Sequence, residues 1–275
     1  LIEHLIIDDF LEVYMDDVFV FHENPEILLI LYEAFLIMCR LGDVKMAPSK
    51  TSILTTKLNI LGIYIDTMDG TLSLDQEKIK SLIEVERPNS LFALHSRLAQ
   101  FLYIVKYLPL LQYFLYPLSL LLKCKVFTWT RVEEESWQAL LLLIKLNVKL
   151  AIPDKHENLL ITSDASRYAL GGALFADRPS GLALVQVTSK INSINNYHKS
   201  SYILELQALH LSLATFWPYL VNCRGKIYIF SDMRAILFLR RMSSHNLLVQ
   251  NLLDNIVFRL QQLDVIISHA PGSIL

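Results

Sequence analysis

The stretch Phe10-Leu11-Glu12-Val13-Tyr14-Met15-Asp16-Asp17-Val18-Phe19-Val20-Phe21 places two adjacent carboxylates between two apolar runs. Both runs are rich in β-branched and aromatic side chains, so the stretch predicts a strand, a tight turn and a second strand with the acidic pair at the tip. Carboxylate oxygens are the ligands that Mg²⁺ prefers, and paired divalent ions catalyse phosphoryl transfer. The alternative is a hairpin with an ordinary polar turn, although Asp-Asp is a poor two-residue turn compared with Asn-Gly or Asp-Gly.

Composition narrows the class of protein. The 275 residues are enough for one large or two moderate domains. Hydrophobic residues make up 53% of the chain. The longest apolar stretch, residues 108–122, is nevertheless interrupted by two prolines and a glutamine, and it falls short of the roughly 18 to 20 residues that a membrane span needs. We therefore expect no membrane partner. The expected location is intracellular and cytoplasmic, with a virus-like particle as the alternative.

Cysteine usage and charge exclude some kinds of site. The three cysteines are far apart and form no Cys-x-x-Cys pair, which fits a reducing compartment and excludes a zinc ribbon within residues 1–275. The net charge of −2 is not typical of a nucleic-acid-binding protein. It does not exclude one, because phosphate contacts depend on local clusters of charge.

The first 150 residues alternate short strands with helices. Residues 25–41 have helical apolar spacing, and Gly42 follows as a stop. Residues 59–65 predict one strand, with Gly62 where another group approaches the backbone closely. Further helices are predicted over 75–86, 90–107 and 114–123, with Pro88, Pro109 and Pro117 as breaks or starts. A last helix is predicted from an N-cap at Thr130 to about Leu150.

Three carboxylates stand out in the remainder of the chain, which predicts a mixed α/β domain. Asp164 and Asp232 each end an apolar strand, and open α/β sheets bind ligands at the carboxyl ends of their strands. Glu205 lies in an apolar helix that is predicted to end at Pro218. Each residue also fits an ordinary role, as a turn former, a helix cap or a solvent-facing glutamate. As a set, they suit an all-oxygen site for Mg²⁺ or Mn²⁺.

An ordered series of motifs then carries a resemblance to a known family. The chain resembles the polymerase–ribonuclease H segment of reverse transcriptases from gypsy-type LTR retrotransposons and, more distantly, retroviruses. The motifs that carry it are Tyr14-Met15-Asp16-Asp17, Lys50, Leu61-Gly62-Ile63-Tyr64-Ile65, Arg87-Pro88, Phe127-Thr128-Trp129-Thr130, Thr162-Ser163-Asp164, Gly171-Gly172-Ala173-Leu174, Glu205-Leu206-Gln207-Ala208-Leu209, Ser231-Asp232 and His269-Ala270-Pro271-Gly272.

The resemblance implies an α+β and α/β multidomain fold in three parts. Residues 1–68 are expected to be the C-terminal part of a polymerase palm with its Tyr-x-Asp-Asp hairpin and primer grip. Residues 69–152 are expected to form a helical thumb and connection. Residues 153–275 are expected to form a ribonuclease H-like domain with a mixed sheet, truncated at its C-terminus.

The resemblance also implies the site residues and partners. Catalytic and metal-binding roles are expected for Asp16, Asp17, Asp164, Glu205 and Asp232, with Mg²⁺ or Mn²⁺ as the cofactor. Contacts with nucleic acid are expected from Tyr14, Met15, Lys50, Leu61 and Gly62. The expected partners are an RNA template, a DNA primer, an RNA–DNA hybrid, dNTP and the rest of a Pol polyprotein.

Two departures from the family pattern limit what residues 1–275 are expected to do by themselves. The third palm aspartate and the fourth ribonuclease H carboxylate are expected outside this sequence, so we expect no polymerisation from these residues alone. The spacing before Glu205 is slightly longer than in the family. The alternative is a degenerate or host-adopted retroelement remnant that serves as a nucleic-acid-binding scaffold without catalysis.

Overall fold

A computed structural model describes residues 10–15, 17–108, 111–192 and 199–271. The chain divides into two compact units, residues 1–56 and residues 57–275. None of the helices in these ranges is long and apolar enough to cross a membrane.

The first unit contains a hairpin and one long helix. Strands β1 (Leu11–Tyr14) and β2 (Asp17–Val20) pair antiparallel, and α1 (Pro25–Leu41) follows. The Asn24 side chain accepts a hydrogen bond from the backbone N–H of Glu26 and so caps the first turn of α1. A short 3₁₀ helix covers Pro48–Lys50. A small core of Leu11, Phe35 and Cys39 joins the hairpin to the helix.

The second unit begins with a small antiparallel sheet and a group of helices. The sheet has the strand order β3-β4-β5-β6, and β6 arrives from much later in the chain to pair with β5. The elements are β3 (Lys57–Ile60), β4 (Ile63–Asp66), β5 (Thr71–Leu74), α2 (Gln76–Ile83), α3 (Leu91–Ile104), a 3₁₀ turn (Val105–Tyr107), α4 (Leu111–Leu121), α5 (Arg131–Leu146) and β6 (Leu150–Ala151).

The helices of this part share one apolar core with the small sheet. Phe101 and Trp137 meet edge to face at its centre, with ring centroids 5.5 Å apart. Thr130 and Glu133 form a capping box at the start of α5, which confirms the predicted N-cap. The helix ends at Leu146 rather than near Leu150, because Asn147 takes a left-handed conformation with φ of 43°.

The rest of the second unit is a five-stranded mixed sheet with two helices packed on one face. The strand order is β11-β10-β7-β8-β9, with β7, β8 and β9 antiparallel and β10 parallel to both β7 and β11. The elements are β7 (Asn158–Ala165), β8 (Ala169–Arg178), β9 (Gly181–Ile191), α6 (Ser201–Asn222), β10 (Ile227–Ser231), a 3₁₀ helix (Arg234–Arg241), α7 (Leu247–Gln261) and β11 (Val265–His269). This confirms the predicted mixed α/β domain.

Three further sequence-based predictions of local structure were wrong. Residues 59–65 are not one strand, because Leu61 and Gly62 both take positive φ and turn the chain between β3 and β4. Pro117 and Pro218 lie inside α4 and α6 rather than at a helix end. In α6, buried Phe216 and Leu220 continue the apolar face across Pro218.

The compact units do not coincide with the predicted three-part division. The first unit ends at residue 56, before β3, whereas the palm was predicted to continue to residue 68. Strands β3 and β4 belong to the second unit because they share a sheet with β5 and β6. The three-part division therefore stays a proposal about function, and it does not describe the two compact units.

Candidate metal centre

Three carboxylates from separate elements meet at one edge of the five-stranded sheet. One ligand oxygen each from Asp164, Glu205 and Asp232 lies within 4.8 Å of the other two. A Mg²⁺ ion holds its oxygen ligands at about 2.0 to 2.1 Å, so oxygens on opposite sides of the ion lie about 4.2 Å apart. The trio is therefore close to the size that a shared divalent cation requires.

Parallel pairing of β7 and β10 brings the two aspartates together. Phe230 in β10 is level with Thr162 in β7, so Asp232 and Asp164 follow at the same edge of the sheet. The end of β11 is fixed there as well, because the backbone N–H of Ala270 donates to the carbonyl of Ser231 at 3.0 Å. Both aspartates are exposed to solvent.

Glu205 reaches the same edge from α6, the helix that crosses β7 and β8. Its side chain is buried, and its Oε1 accepts a hydrogen bond of 3.2 Å from the backbone N–H of Ala165. The other carboxyl oxygen, Oε2, is also buried and has no hydrogen-bond partner among the residues that the structure describes. A buried carboxyl oxygen without a partner is costly, and a cation at the trio would satisfy it.

Burial raises the pKa of the Glu205 carboxyl to about 8, and the neighbouring carboxylates of Asp232 and Asp164 add to the increase. Both causes disfavour the negative charge. A bound divalent cation would attract all three carboxylates and so would offset the repulsion that Asp232 and Asp164 exert on Glu205. The donor set therefore fits a hard divalent metal such as Mg²⁺ or Mn²⁺.

A glycine in β8 sets how closely α6 approaches the sheet. A Cβ atom added to Gly172 would overlap the Ser212 hydroxyl oxygen on α6. Ser212 is completely buried, and its hydroxyl donates to the Ala208 carbonyl at 2.8 Å. Ser212 is two helical turns after Glu205 on the same side of α6, so this contact also fixes the depth at which Glu205 meets Ala165. Ser212 has no sequence signal of its own, and the adjacent glycines at 171 and 172 are the feature that indicates a close approach to β8.

An open cleft of about 1100 Å³ adjoins Asp164. Strands β7 to β9 form one wall, and α4 with the start of α5 forms the other. The Ser189 hydroxyl donates across it to the side-chain oxygen of Gln112 at 3.0 Å. The described residues that line the cleft are mostly apolar, with Lys190 as their one cation. The cleft gives Asp164 access to solvent but does not have the charge of a phosphate channel.

The acidic pair of the first hairpin is only partly described. Tyr14 is level with Asp17 across the hairpin, and Met15 is exposed with φ of 52°, so a tight turn joins the two strands as predicted. Asp17 is exposed, and Asp16 lies outside the described residues. Lys50 is exposed at the end of its 3₁₀ helix. The roles of these residues in binding stay predictions.

Comparison with known proteins gives a family match that includes Asp164 and Glu205 and ends before Asp232. Residues 129–227 match the family described as the RNase H-like domain found in reverse transcriptase. The putative enzymatic polyprotein of Cassava vein mosaic virus is 29% identical over 173 residues, which are 60% of this chain and 26% of that protein. The enzymatic polyprotein of Figwort mosaic virus (strain DxS) is 27% identical over 224 residues, which are 79% of this chain and 33% of that protein. The chain thus spans about a quarter to a third of these relatives.

Solved structures of reverse transcriptases have a fold similar to that of this chain. The foamy viral protease-reverse transcriptase in complex with double-stranded DNA has a TM-score of 0.74 at 17% identity and covers 98% of this chain, which corresponds to 47% of that one. The same kind of enzyme in complex with an RNA/DNA hybrid has a TM-score of 0.75 at 18% identity and covers 98% of this chain, or 37% of that one. These comparisons confirm the resemblance to reverse transcriptases, whereas the gypsy-type assignment stays a prediction.

Proposed function

We propose that this chain, which carries an RNase H-like domain of the kind found in reverse transcriptases, cleaves the RNA strand of RNA–DNA hybrids by metal-assisted hydrolysis. The observation that carries the proposal is the convergence of Asp164, Glu205 and Asp232. An all-carboxylate cluster at the edge of a sheet, with one buried member, is suited to divalent cations rather than to nucleophilic catalysis by a protein side chain.

The three carboxylates have different parts in this proposal. Asp164 and Asp232 are exposed, so they would present charged oxygens to a cation and to the scissile phosphate. Glu205 would first release the proton that its raised pKa retains at neutral pH, and then add a third negative ligand from within the protein. When bound, a divalent cation activates a water molecule and neutralises the charge that builds up on the phosphate oxygens. The Ala165 N–H holds Glu205 Oε1 in place throughout.

The substrate class is inferred from the fold and from the relatives. One structural neighbour was solved with an RNA/DNA hybrid, and others with double-stranded DNA. A site formed from carboxylates, with no base-reading groups of its own, would distinguish RNA from DNA by the 2′-hydroxyl and the shape of the groove. We therefore infer a hybrid duplex as substrate, read by shape rather than by sequence.

The first part of the chain is proposed to belong to an RNA-directed DNA polymerase. What supports this is the β1–β2 hairpin, which presents Tyr14, Met15 and Asp17 at one end. In a longer Pol polyprotein, Asp16 and Asp17 would hold the polymerase metals against dNTP, while Lys50 and the turn at Leu61 would contact template and primer. We also propose an intracellular location for the polyprotein.

Hybrid cleavage is the experiment that tests the nuclease. Purified residues 1–275 are incubated with a fluorescently labelled RNA–DNA hybrid, with Mg²⁺ or Mn²⁺ and with EDTA. We expect metal-dependent cleavage of the RNA strand that Asp164→Asn reduces by at least about a hundredfold. Asp177→Asn is the matched control, because Asp177 is also an exposed aspartate of the same sheet. Asp164 pairs with Gly171 on β8, and Asp177 is six residues further along that strand, so it lies about 20 Å from Asp164. Equal cleavage by both variants would refute the assignment of the trio.

Failure to cleave has a distinct meaning. If neither residues 1–275 nor the longer polyprotein that supplies the fourth carboxylate cleaves a hybrid that it binds, with either metal, the scaffold alternative replaces the nuclease. The polymerase proposal is tested separately in the longer polyprotein. There, Asp17→Asn should abolish primer extension and leave hybrid cleavage intact, and Asp164→Asn should do the reverse.

A further inference from the structure

The turn between β7 and β8 adjoins two members of the carboxylate trio. Asp164 is the second-last residue of β7, and Ala165 is the last. The Ala165 N–H is the donor that holds Glu205 Oε1 at 3.2 Å. Residues 166–168 form the turn itself, and all three are exposed. A displacement of the turn would therefore move both the Asp164 carboxylate and the hydrogen-bond donor for Glu205.

Asn192, which directly follows β9, is hydrogen-bonded to this turn. It is buried, with 5% of its surface exposed. Its side-chain Nδ2 donates to the carbonyls of Ser166 and Arg167, at 3.0 and 3.2 Å. Its backbone N–H donates to the Tyr168 carbonyl at 2.8 Å. A single buried residue thus binds the three successive carbonyl groups of the turn.

Ser166 closes the turn from within. Its N–H donates to the Ala169 carbonyl at 2.8 Å, and its hydroxyl oxygen accepts from the N–H groups of Tyr168 and Ala169 at 3.2 and 3.0 Å. These bonds are local and determine the shape of the turn. The bonds from Asn192 join the turn to the end of β9, so they determine its position in the sheet.

Satisfying the carbonyl groups of an exposed turn does not by itself require a buried amide. Water can bond to such groups at the surface, whereas burying an amide is costly unless its polar atoms are paired. What Asn192 adds is a fixed geometry, and a metal site needs its ligands held to within about 0.5 Å. Groups that support the ligands commonly change metal affinity by about 10- to 100-fold.

We propose that Asn192 is a positioning residue for the metal centre. By fixing the β7–β8 turn, it determines where the Asp164 carboxylate lies and where the Ala165 N–H meets Glu205. Asn192 itself contacts neither the cation nor the substrate. The inference rests on the proposed function, because it requires the trio to bind a divalent cation.

Mn²⁺ binding, measured by electron paramagnetic resonance, tests the inference without requiring any cleavage. It is measured with residues 1–275 and with the longer polyprotein that supplies the fourth carboxylate. Asp164→Asn should abolish it, which assigns the bound ion to the trio. Asn192→Ala removes both side-chain bonds but keeps the N–H that donates to Tyr168, and we expect it to weaken Mn²⁺ affinity about tenfold. It should also accelerate hydrogen exchange of the Ala165 amide about tenfold.

Asn158→Ala is the matched control. The Asn158 side chain also bonds to the backbone, since it accepts from the Lys226 N–H at 2.9 Å. It lies six residues before Asp164 on β7, or about 20 Å away. Asn158→Ala should lower the melting temperature but change Mn²⁺ affinity less than twofold. Asn192→Leu fills the same space without donors, so it should reproduce the weaker affinity even if Asn192→Ala does not fold.

A kinetic readout separates weaker metal binding from a general loss of structure. In hybrid cleavage, excess Mn²⁺ should restore most of the kcat of Asn192→Ala, with an unchanged KM for the hybrid. If Asn192→Ala and Asn158→Ala change Mn²⁺ affinity alike, or if exchange at Ala165 is unchanged, the inference is overturned and the nuclease proposal stands. If neither residues 1–275 nor the longer polyprotein binds Mn²⁺ at the trio, both are overturned.

Discussion

Replacing Glu205 by glutamine should stabilise the metal-free protein while removing its affinity for metal. Glutamine keeps the shape of the side chain and an oxygen that can accept from the Ala165 N–H. It removes the charge that burial, Asp232 and Asp164 disfavour at this position. The substitution thus separates two effects on the free energy of unfolding: the destabilisation caused by three neighbouring carboxylates and the stabilisation caused by a bound cation.

The magnitude follows from the raised pKa of Glu205. Between its ordinary pKa of 4.5 and its folded value of about 8, the folded protein holds a proton that the unfolded chain has lost. Stability therefore falls as the pH rises through that window and becomes constant above it. The increase in pKa corresponds to at most about 5 kcal/mol. Because the protein and nearby water relax around a charge at the edge of a sheet, we expect about 2 kcal/mol at pH 8.

Thermal unfolding in EDTA between pH 5 and pH 8 measures this effect. Glu205→Gln should melt within about 1 °C of the unsubstituted protein at pH 5 and about 4 to 8 °C higher at pH 8. Millimolar Mg²⁺ at pH 8 should raise the melting temperature of the unsubstituted protein and leave that of the variant unchanged. Asp177→Asn serves as the control and should show neither effect.

Two results would contradict this reasoning. A stabilisation by Glu205→Gln that is the same at pH 5 and pH 8 would mean that the raised pKa of Glu205 is not its cause. An equal response of both proteins to Mg²⁺ would mean that Glu205 is not a ligand.

Three further substitutions test the packing that supports the site, each by thermal or urea unfolding. Gly172→Ala should cost about 1 to 3 kcal/mol because its methyl group would meet Ser212, and Ser212→Ala should recover part of the loss by removing the hydroxyl; a neutral Gly172→Ala would contradict the close approach of α6. Thr130→Ala should cost about 1 kcal/mol through the lost helix cap, and an unchanged midpoint would mean that the capping box does not stabilise the folded state. Asn147 exchanges two hydrogen bonds with the backbone of Leu74, at 3.0 and 3.1 Å, and has positive φ, so Asn147→Ala should be more destabilising than Asn147→Gly; the reverse order would refute the role of the left-handed backbone.

Local patterns in the sequence predicted much of the fold. The helix over 25–41 was found with the same bounds, because its apolar spacing and flanking residues all agree. The strands that end near Asp164 and Asp232 were predictable from continuous apolar runs, and their parallel pairing then brings the two aspartates to one edge.

Other features depend on tertiary contacts that no local pattern contains. A left-handed Leu61 is not expected from a leucine, and it is observed where Tyr103, 42 residues later, holds its carbonyl. The burial of Glu205 was left open because a helix that is apolar on several sides does not reveal which side meets the sheet. Gly172 has no side chain and so lets Ser212 approach β8 closely, which determines that the side of α6 that carries Glu205 meets the sheet. Local propensity predicts a helix end at Pro218, because proline is unfavourable inside a helix. The helix continues because its buried apolar face extends beyond the proline.

Strand β6 has a practical consequence for anyone who wishes to isolate the nuclease part. Leu150 and Ala151 pair with Leu72 and Thr71 and are buried there, and the Ile152 N–H continues the ladder by donating to the Gly70 carbonyl at 2.8 Å. An excised fragment that begins at residue 153 would lack Ala151, which is buried in the apolar core of the five-stranded sheet, and the Ile152 carbonyl, which accepts a hydrogen bond from Arg178 at 2.9 Å. The loss of a core residue exposes apolar surface, and exposed apolar surface promotes association with other chains. Expression boundaries placed before residue 57 would keep the ladder whole, and clones cut at 153 should be the ones that precipitate.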